Sequence, residues 1–227
     1  MIDIRFFGRG AGFNPPEGNT NAYIVRGRHL LLIDCGESTF ARAFASPGLK
    51  GWESATVLMT HLHADHSGSL ASFCAYNFFA LGRRVAVVHP VPTVTELLRL
   101  QGVGPEVYDY RTELPAHLEL TAQPRRVRHA EDMQSFGYIL RDRDEAVYYS
   151  GDSAEFPEEI ATMLKSEELA RVYHDIAAHD SSYHCPVSAV EAAVPRELRP
   201  RVFAMHLDPG SEATFREKGF SVVSAQA

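Results

Sequence analysis

The segment Thr60-His61-Leu62-His63-Ala64-Asp65-His66 crowds three imidazoles and a carboxylate into one short stretch. No packing requirement asks for such a concentration of transition-metal ligands. In an extended segment His61 and His63 point the same way, so both reach a single ion. Asp65 and His66 sit where the chain turns toward a helix starting near Ser67, and they face a neighbouring position. One stretch can therefore feed two adjacent metals. Mixed imidazole and carboxylate donors suit Zn²⁺ first and also tolerate Mn²⁺ or Fe²⁺. Further apolar runs also end on residues suited to chemistry: Asp152 in Ser150-Gly151-Asp152-Ser153, His206, and the pair His179-Asp180. Taken singly, Asp152 and His206 each fit a turn or strand end more readily than a metal site.

The elements that must position these groups are legible from the hydrophobic pattern. Five short apolar stretches each deliver a polar residue: Leu30–Ile33 to Asp34, Thr56–Met59 to His61, Ala146–Tyr149 to Asp152, Asp175–Ala178 to His179-Asp180, and Arg201–Met205 to His206. Such runs read as buried strands, and strands lying side by side collect their polar residues at one sheet edge. Between them the sequence predicts helices over Gly68–Leu81, Pro92–Leu100, Pro157–Leu169 and Pro186–Val194. Pro157 followed by Glu158 and Glu159 suits the positive end of a helix dipole. The Gly-, Pro- and Asn-rich segment Gly8–Asn21 reads as a loop before a strand around Ala22–Val25. Alternating strands and helices give an α/β class. With no linker or low-complexity tract, residues 1–227 read as a single domain, and its halves, divided near Pro115, show no sequence repeat.

Charged residues make up 22% of the chain and hydrophobic ones 45%, a balance that excludes disordered and fibrous classes. No leader pattern or membrane span is visible, so the expected location is cytoplasmic, without membrane contact. Cys35, Cys74 and Cys185 form no CxxC pair and leave an odd thiol, which suits a reducing compartment and small buried hydrophobes. The formal net charge of −7 opposes a long polyanion such as tRNA. Arg125-Arg126-Val127-Arg128 does not reverse this, because alternation turns Arg126 and Arg128 away from His129.

His61-Leu62-His63-Ala64-Asp65-His66 resembles the HxHxDH signature of the metallo-β-lactamase superfamily, and the likeness extends over nearly the whole chain. It implies an αββα sandwich with two metals at the sheet edges. His129 matches the family's third-histidine position, Asp152 its bridging carboxylate and His206 its last histidine. One ion is then expected on His61, His63, His129 and Asp152, and the other on Asp65, His66, His206 and Asp152. Asp34, in Leu32-Ile33-Asp34-Cys35-Gly36, corresponds to an acid that braces the metal loop by hydrogen bonding. Phe6-Phe7-Gly8-Arg9-Gly10-Ala11-Gly12, Ser135-Phe136-Gly137-Tyr138 and Ala178-His179-Asp180-Ser181-Ser182 resemble segments of the transfer-RNA 3′-processing phosphodiesterases. The short interval from His129 to Asp152 leaves no room for their tRNA-gripping arm. The chain thus resembles compact, armless relatives that open cyclic nucleotides, the anti-Pycsar phosphodiesterases among them.

That resemblance implies hydrolysis of 3′,5′-cyclic nucleotides or similar small phosphodiesters by a hydroxide held between two divalent ions. The catalytic residues expected are Asp65, also a ligand, and His179, oriented by Asp180 to protonate the leaving alkoxide. A lactone, thioester or lactam substrate is the alternative, and a non-catalytic metal-binding sensor or scaffold the second. The glycines of the opening loop suit either close access to a phosphate or simple flexibility. Whether Ser153, Tyr183 or His184 contacts substrate stays open, as does whether Tyr76-Asn77-Phe78-Phe79 serves a homodimer interface or the core.

Overall fold

The computed structural model describes residues 1–45 and 51–225, in which two sheets carry the site. The first sheet runs β1 (Arg5–Gly8), β2 (Asn21–Arg26), β3 (His29–Ile33), β4 (Ser54–Leu58), β5 (Val85–Val88) and β6 (Tyr108–Arg111), in spatial as in chain order. The second contains β7 (Thr121–Val127), β8 (Ser135–Arg141), β9 (Ala146–Tyr149), β10 (Arg171–Ala177), β11 (Cys185–Pro186), β12 (Val202–Met205) and β13 (Ser221–Val222). Its spatial order is β7-β8-β9-β10-β12-β13, with the short β11 paired to β10.

Both sheets follow one plan. In each, the first three strands are joined by antiparallel pairings and the rest by parallel ones. The halves that share no sequence repeat therefore share a topology. Strand alternation divides the apolar residues between two faces. Leu31 and Ile33 face a core between the sheets, where they join Phe136, Tyr138, Tyr149 and Met205 from the second sheet. Leu30 and Leu32 face outward, under α1 (Thr39–Ala45), α3 (Leu70–Ala75) and α4 (Thr93–Leu100). Ile139, Tyr148 and Val172 likewise pack under α5 (Glu158–Lys165), α6 (Val187–Ala193) and α7 (Glu212–Glu217). The layers are helix, sheet, sheet, helix, the αββα sandwich of the metallo-β-lactamase fold.

Three details differ from the sequence reading. The helix expected over Gly68–Leu81 begins with Leu70–Ala75 and widens into a π-helical turn over Tyr76–Ala80, which buries Asn77 and leaves Phe79 exposed. The strand expected from Asp175 starts at Arg171, so Asp175 lies inside β10 and is buried. The Gly8–Asn21 loop is a brace: Ala11 N–H donates to the Leu207 carbonyl at 3.0 Å and Asn14 Nδ2 to the same oxygen at 2.8 Å. All three cysteines are buried and free, and burial pushes the Cys35 and Cys185 thiols up to about 12. No helix among the described residues is long and apolar enough to cross a membrane.

Candidate metal centre

The parallel strands end on one edge of the sandwich, where the residues that follow them converge. Asp34 follows β3, His61 and α2 (Ala64–Ser67) follow β4, Asp152 follows β9 and His206 follows β12. Open α/β sheets place their sites at such strand ends. Asp34 and His206 both have left-handed backbones, with φ of 65° and 59°. Such strain at non-glycine residues costs about 1–3 kcal/mol each and persists where surrounding contacts over-determine it. At His206 those contacts come from the glycine-rich loop and from Thr20, whose Oγ1 accepts the His206 N–H at 3.0 Å.

Asp34 is wholly buried and organises two of the histidines. Its Oδ1 accepts the Thr60 N–H at 2.7 Å, and its Oδ2 accepts both the Thr60 hydroxyl at 2.7 Å and His66 Nδ1–H at 2.8 Å. Because the Thr60 hydroxyl proton is committed to Asp34, Thr60 Oγ1 acts as acceptor for His61 Nδ1–H at 3.0 Å. His129 Nδ1–H donates to the Tyr183 carbonyl at 2.8 Å. Each of these imidazoles is thus tied by Nδ1 and presents Nε2 to the site, the arrangement that fixes the tautomer of a ligating histidine.

The presented atoms gather in two groups. His61 Nε2 and His63 Nδ1 lie 3.1 Å apart, and His63 Nδ1 and His129 Nε2 3.2 Å apart. Beside them, the ligand atoms of Asp65, His66, Asp152 and His206 lie within 4.8 Å of one another. Asp152 stands between the groups: Oδ1 is 3.2 Å from His66 Nε2, and Oδ2 is 3.4 Å from His206, 3.7 Å from His129 and 3.9 Å from His61. The seven ligands expected from the sequence are therefore brought to one place.

Electrostatics show what this cluster fits. Burial, reinforced by the neighbouring His66, holds the His61 imidazole well below its ordinary value, and burial and His129 lower that of His63. Burial alone would raise the carboxyls of Asp65 and Asp152, but contacts to His206 and His66 outweigh it and keep both charged. Neutral imidazoles with converging lone pairs repel one another, and buried carboxylates need positive partners. His66 Nε2 is also buried and makes no aligned hydrogen bond, although carboxylate oxygens of Asp152 and Asp65 lie 3.2 and 3.4 Å away. Divalent cations answer all three conditions, so the residues present fit the metals that the fold family implies.

The two residues expected to serve the leaving group, His179 and Asp180, lie at the surface. His179 is 68% exposed and its Nδ1 faces an Asp208 carboxylate oxygen at 3.6 Å, while the adjacent Asp180 is exposed. The acid that His179 faces is thus Asp208 and not the expected Asp180, since the chain leaves the sheet after Ala177 and turns both residues outward. Closer to the cluster, His184 Nδ1 lies 2.7 Å from Asp175 Oδ2, and the His184 ring stacks on His206 with centroids 4.9 Å apart. Asp175 also accepts the Ser153 N–H at 3.1 Å. Asp152, Asp175, His184 and His206 form a third convergent group. The signal missed was a carboxylate inside an apolar strand, since a buried acid implies a partner. Ser153 itself is buried, with its hydroxyl donating to the Glu155 carbonyl at 2.8 Å. The basic run is a solvated face: Arg126 and Arg128 are exposed, Arg128 pairs with Glu155 at 3.6 Å and Arg125 with Glu159 at 3.1 Å.

Comparisons with known proteins agree with this geometry. The family model described as anti-Pycsar protein Apyc1 matches residues 2–226. Anti-Pycsar protein Apyc1 of Bacillus phage 010DV004 is 28% identical over 250 aligned positions, covering 96% of this chain and 93% of that protein. Among solved structures, the metallo-β-lactamase fold protein YhfI from Bacillus subtilis superposes with a TM-score of 0.76 at 14% identity, covering 99% of this chain and 96% of that one. A diphosphatase from the PhnP family superposes with a TM-score of 0.75 at 16% identity, over 100% of this chain and 96% of that one. The chain belongs to the anti-Pycsar protein Apyc1 family and is a metal-dependent hydrolase on the metallo-β-lactamase fold.

Proposed function

We propose that the protein is a dinuclear phosphodiesterase that opens 3′,5′-cyclic nucleotides or similar small phosphodiesters. The observation that carries this reading is the position of Asp152 between two ligand groups, in a chain matched from end to end by an anti-Pycsar family. His61, His63, His129 and Asp152 would hold one divalent ion, and Asp65, His66, His206 and Asp152 the other, with Zn²⁺ first and Mn²⁺ or Fe²⁺ also suited. When bound, such ions supply a water activated near neutral pH and neutralise charge on phosphoryl oxygens.

The chain's own residues supply the rest. Asp34 and Thr60 fix the tautomers of His61 and His66, so the donor atoms are in place before substrate arrives. His184 takes the role expected of His179. Burial lowers its proton affinity, but the hydrogen bond to Asp175 outweighs this, and the ring sits at the border between the cluster and solvent. From there it can give a proton to the departing alkoxide oxygen, while Asp175 holds the ring in place. His179 with Asp208 is the second candidate for this step. The substrate is a small molecule, tRNA being excluded from this reading, and a cytoplasmic homodimer completes it.

Phosphorus NMR of the Zn- or Mn-loaded protein with a panel of 3′,5′-cyclic nucleotides tests the proposal, with Asp152→Ala as background. Conversion to nucleoside monophosphates by the intact site is expected. His184→Ala should cut kcat about 10²-fold or more, whereas His179→Ala should change it less than about threefold. A metal-loaded protein that ignores every phosphodiester but cleaves lactones or thioesters would move the substrate to the carbonyl class. Loss of activity in His179→Ala alone would return the proton donor to that residue.

A further inference from the structure

We infer that the cavity beside His129 receives the base of a nucleotide and that Tyr183 is its stacking wall. This rests on the phosphodiesterase reading of the neighbouring metal centre. The cavity has a volume of about 620 Å³, within the range of small-molecule sites, and Arg126, Arg128, His129, Met133, Ser182 and Tyr183 are among its walls. His129 belongs to both places, since its Nε2 faces the cluster and the residue also lines the cavity. A phosphoryl group at the cluster therefore has this cavity as its neighbour, through the shared residue His129.

Tyr183 is anchored through its backbone while its side chain is left uncovered. Its carbonyl accepts His129 Nδ1–H, its N–H donates to Ser181 Oγ at 3.1 Å, and its ring stands edge-on to His129 with centroids 6.5 Å apart. Yet the residue is 59% exposed, next to a buried cluster. An aromatic side chain with a fixed backbone and a free face gives up little entropy when a flat ligand covers it. Met133 also lines the cavity and brings a polarisable thioether, while the charged residues at its border, Arg126, Arg128 and Glu131, are of both signs.

Calorimetric titration of the metal-loaded protein with nucleoside 5′-monophosphates, and with ribose 5-phosphate as the base-free control, tests the inference without turnover. Tyr183→Leu should weaken the monophosphates about tenfold or more. Tyr183→Phe should retain them, and ribose 5-phosphate should bind all three proteins alike. Metal content measured in each variant shows whether the Tyr183 carbonyl still holds His129. Equal weakening of the monophosphates and ribose 5-phosphate, or wild-type affinity in Tyr183→Leu at full metal content, would overturn the stacking role. Tyr183-dependent binding in a protein that hydrolyses no phosphodiester would uphold the base subsite and defeat the phosphodiesterase reading instead.

Discussion

Asp34 touches neither proposed ion, yet two of the histidines depend on it. Replacing it with alanine frees the Thr60 hydroxyl to rotate and leaves His66 Nδ1 without its acceptor. Loss of such supporting partners typically costs 10–100-fold in metal affinity. Competition of Asp34→Ala with a chromophoric chelator should show a weakening of about that size, while a change below about twofold would mean that the ligands are positioned by other contacts. His206 gives a pH dependence of definite sign. Burial lowers its proton affinity, but Asp152 and Asp65 outweigh burial and raise it to about 9 in the metal-free site. Below that pH a metal must expel the His206 proton, so apparent affinity should fall by about tenfold per pH unit for each proton released. In the metal-free protein the same imidazolium stabilises the fold fully below its ordinary value near 6.5, and this contribution is lost as pH rises through about 9. Melting of chelator-treated protein between pH 7 and 9.5 checks the direction: stability rising steadily over that window would contradict it.

Elements decide which of these residues were visible in advance. The cluster from His61 to His66 was legible because its donors are contiguous, at the junction of β4 and α2. His129, Asp152 and His206 were legible only in series, since each is an ordinary strand-end residue by itself. Asp175 was hidden by register: it was read as the start of a strand, whereas β10 begins at Arg171 and carries Asp175 on the face it shares with Tyr173, toward the intersheet core. His179 and Asp180 stood out in the sequence because they close an apolar run, yet the chain had already left the sheet. The glycine-rich loop illustrates the same limit, since its bracing contacts lie far along the chain, at Leu207. Gly36 shows how tightly the elements around the metal loop meet. A Cβ there would collide with the Asp65 carbonyl, and the Gly36 N–H donates to Asn21 Oδ1 at 2.6 Å. Gly36→Ala should therefore destabilise the fold by about 1–3 kcal/mol, as overpacking does, and displace Asp65. Denaturant unfolding with parallel metal analysis reads both effects; a fully stable variant with two bound ions would show that the loop can yield.

At the scale of the molecule, two similarly built sheets face each other across one apolar core, and their parallel strands end together. The first sheet contributes Asp34 and the segment from His61 to His66, and the second contributes His129, Asp152, Asp175 and His206. Neither half holds either proposed ligand set complete, because the carboxylate between the groups comes from one sheet and the signature histidines from the other. Metal binding should accordingly tie the halves together, since a ligand that binds only the folded state stabilises it. The most direct measurement is a titration of metal-free protein with Zn²⁺ or Mn²⁺, following bound metal and the cleavage of a 3′,5′-cyclic nucleotide in the same samples, beside Asp152→Ala. Two ions per chain, with hydrolysis appearing as the sites fill and lost in the variant, is the expected result. Hydrolysis that persists without metal or in Asp152→Ala, or no hydrolysis by protein holding two ions, would contradict the function assigned to this site.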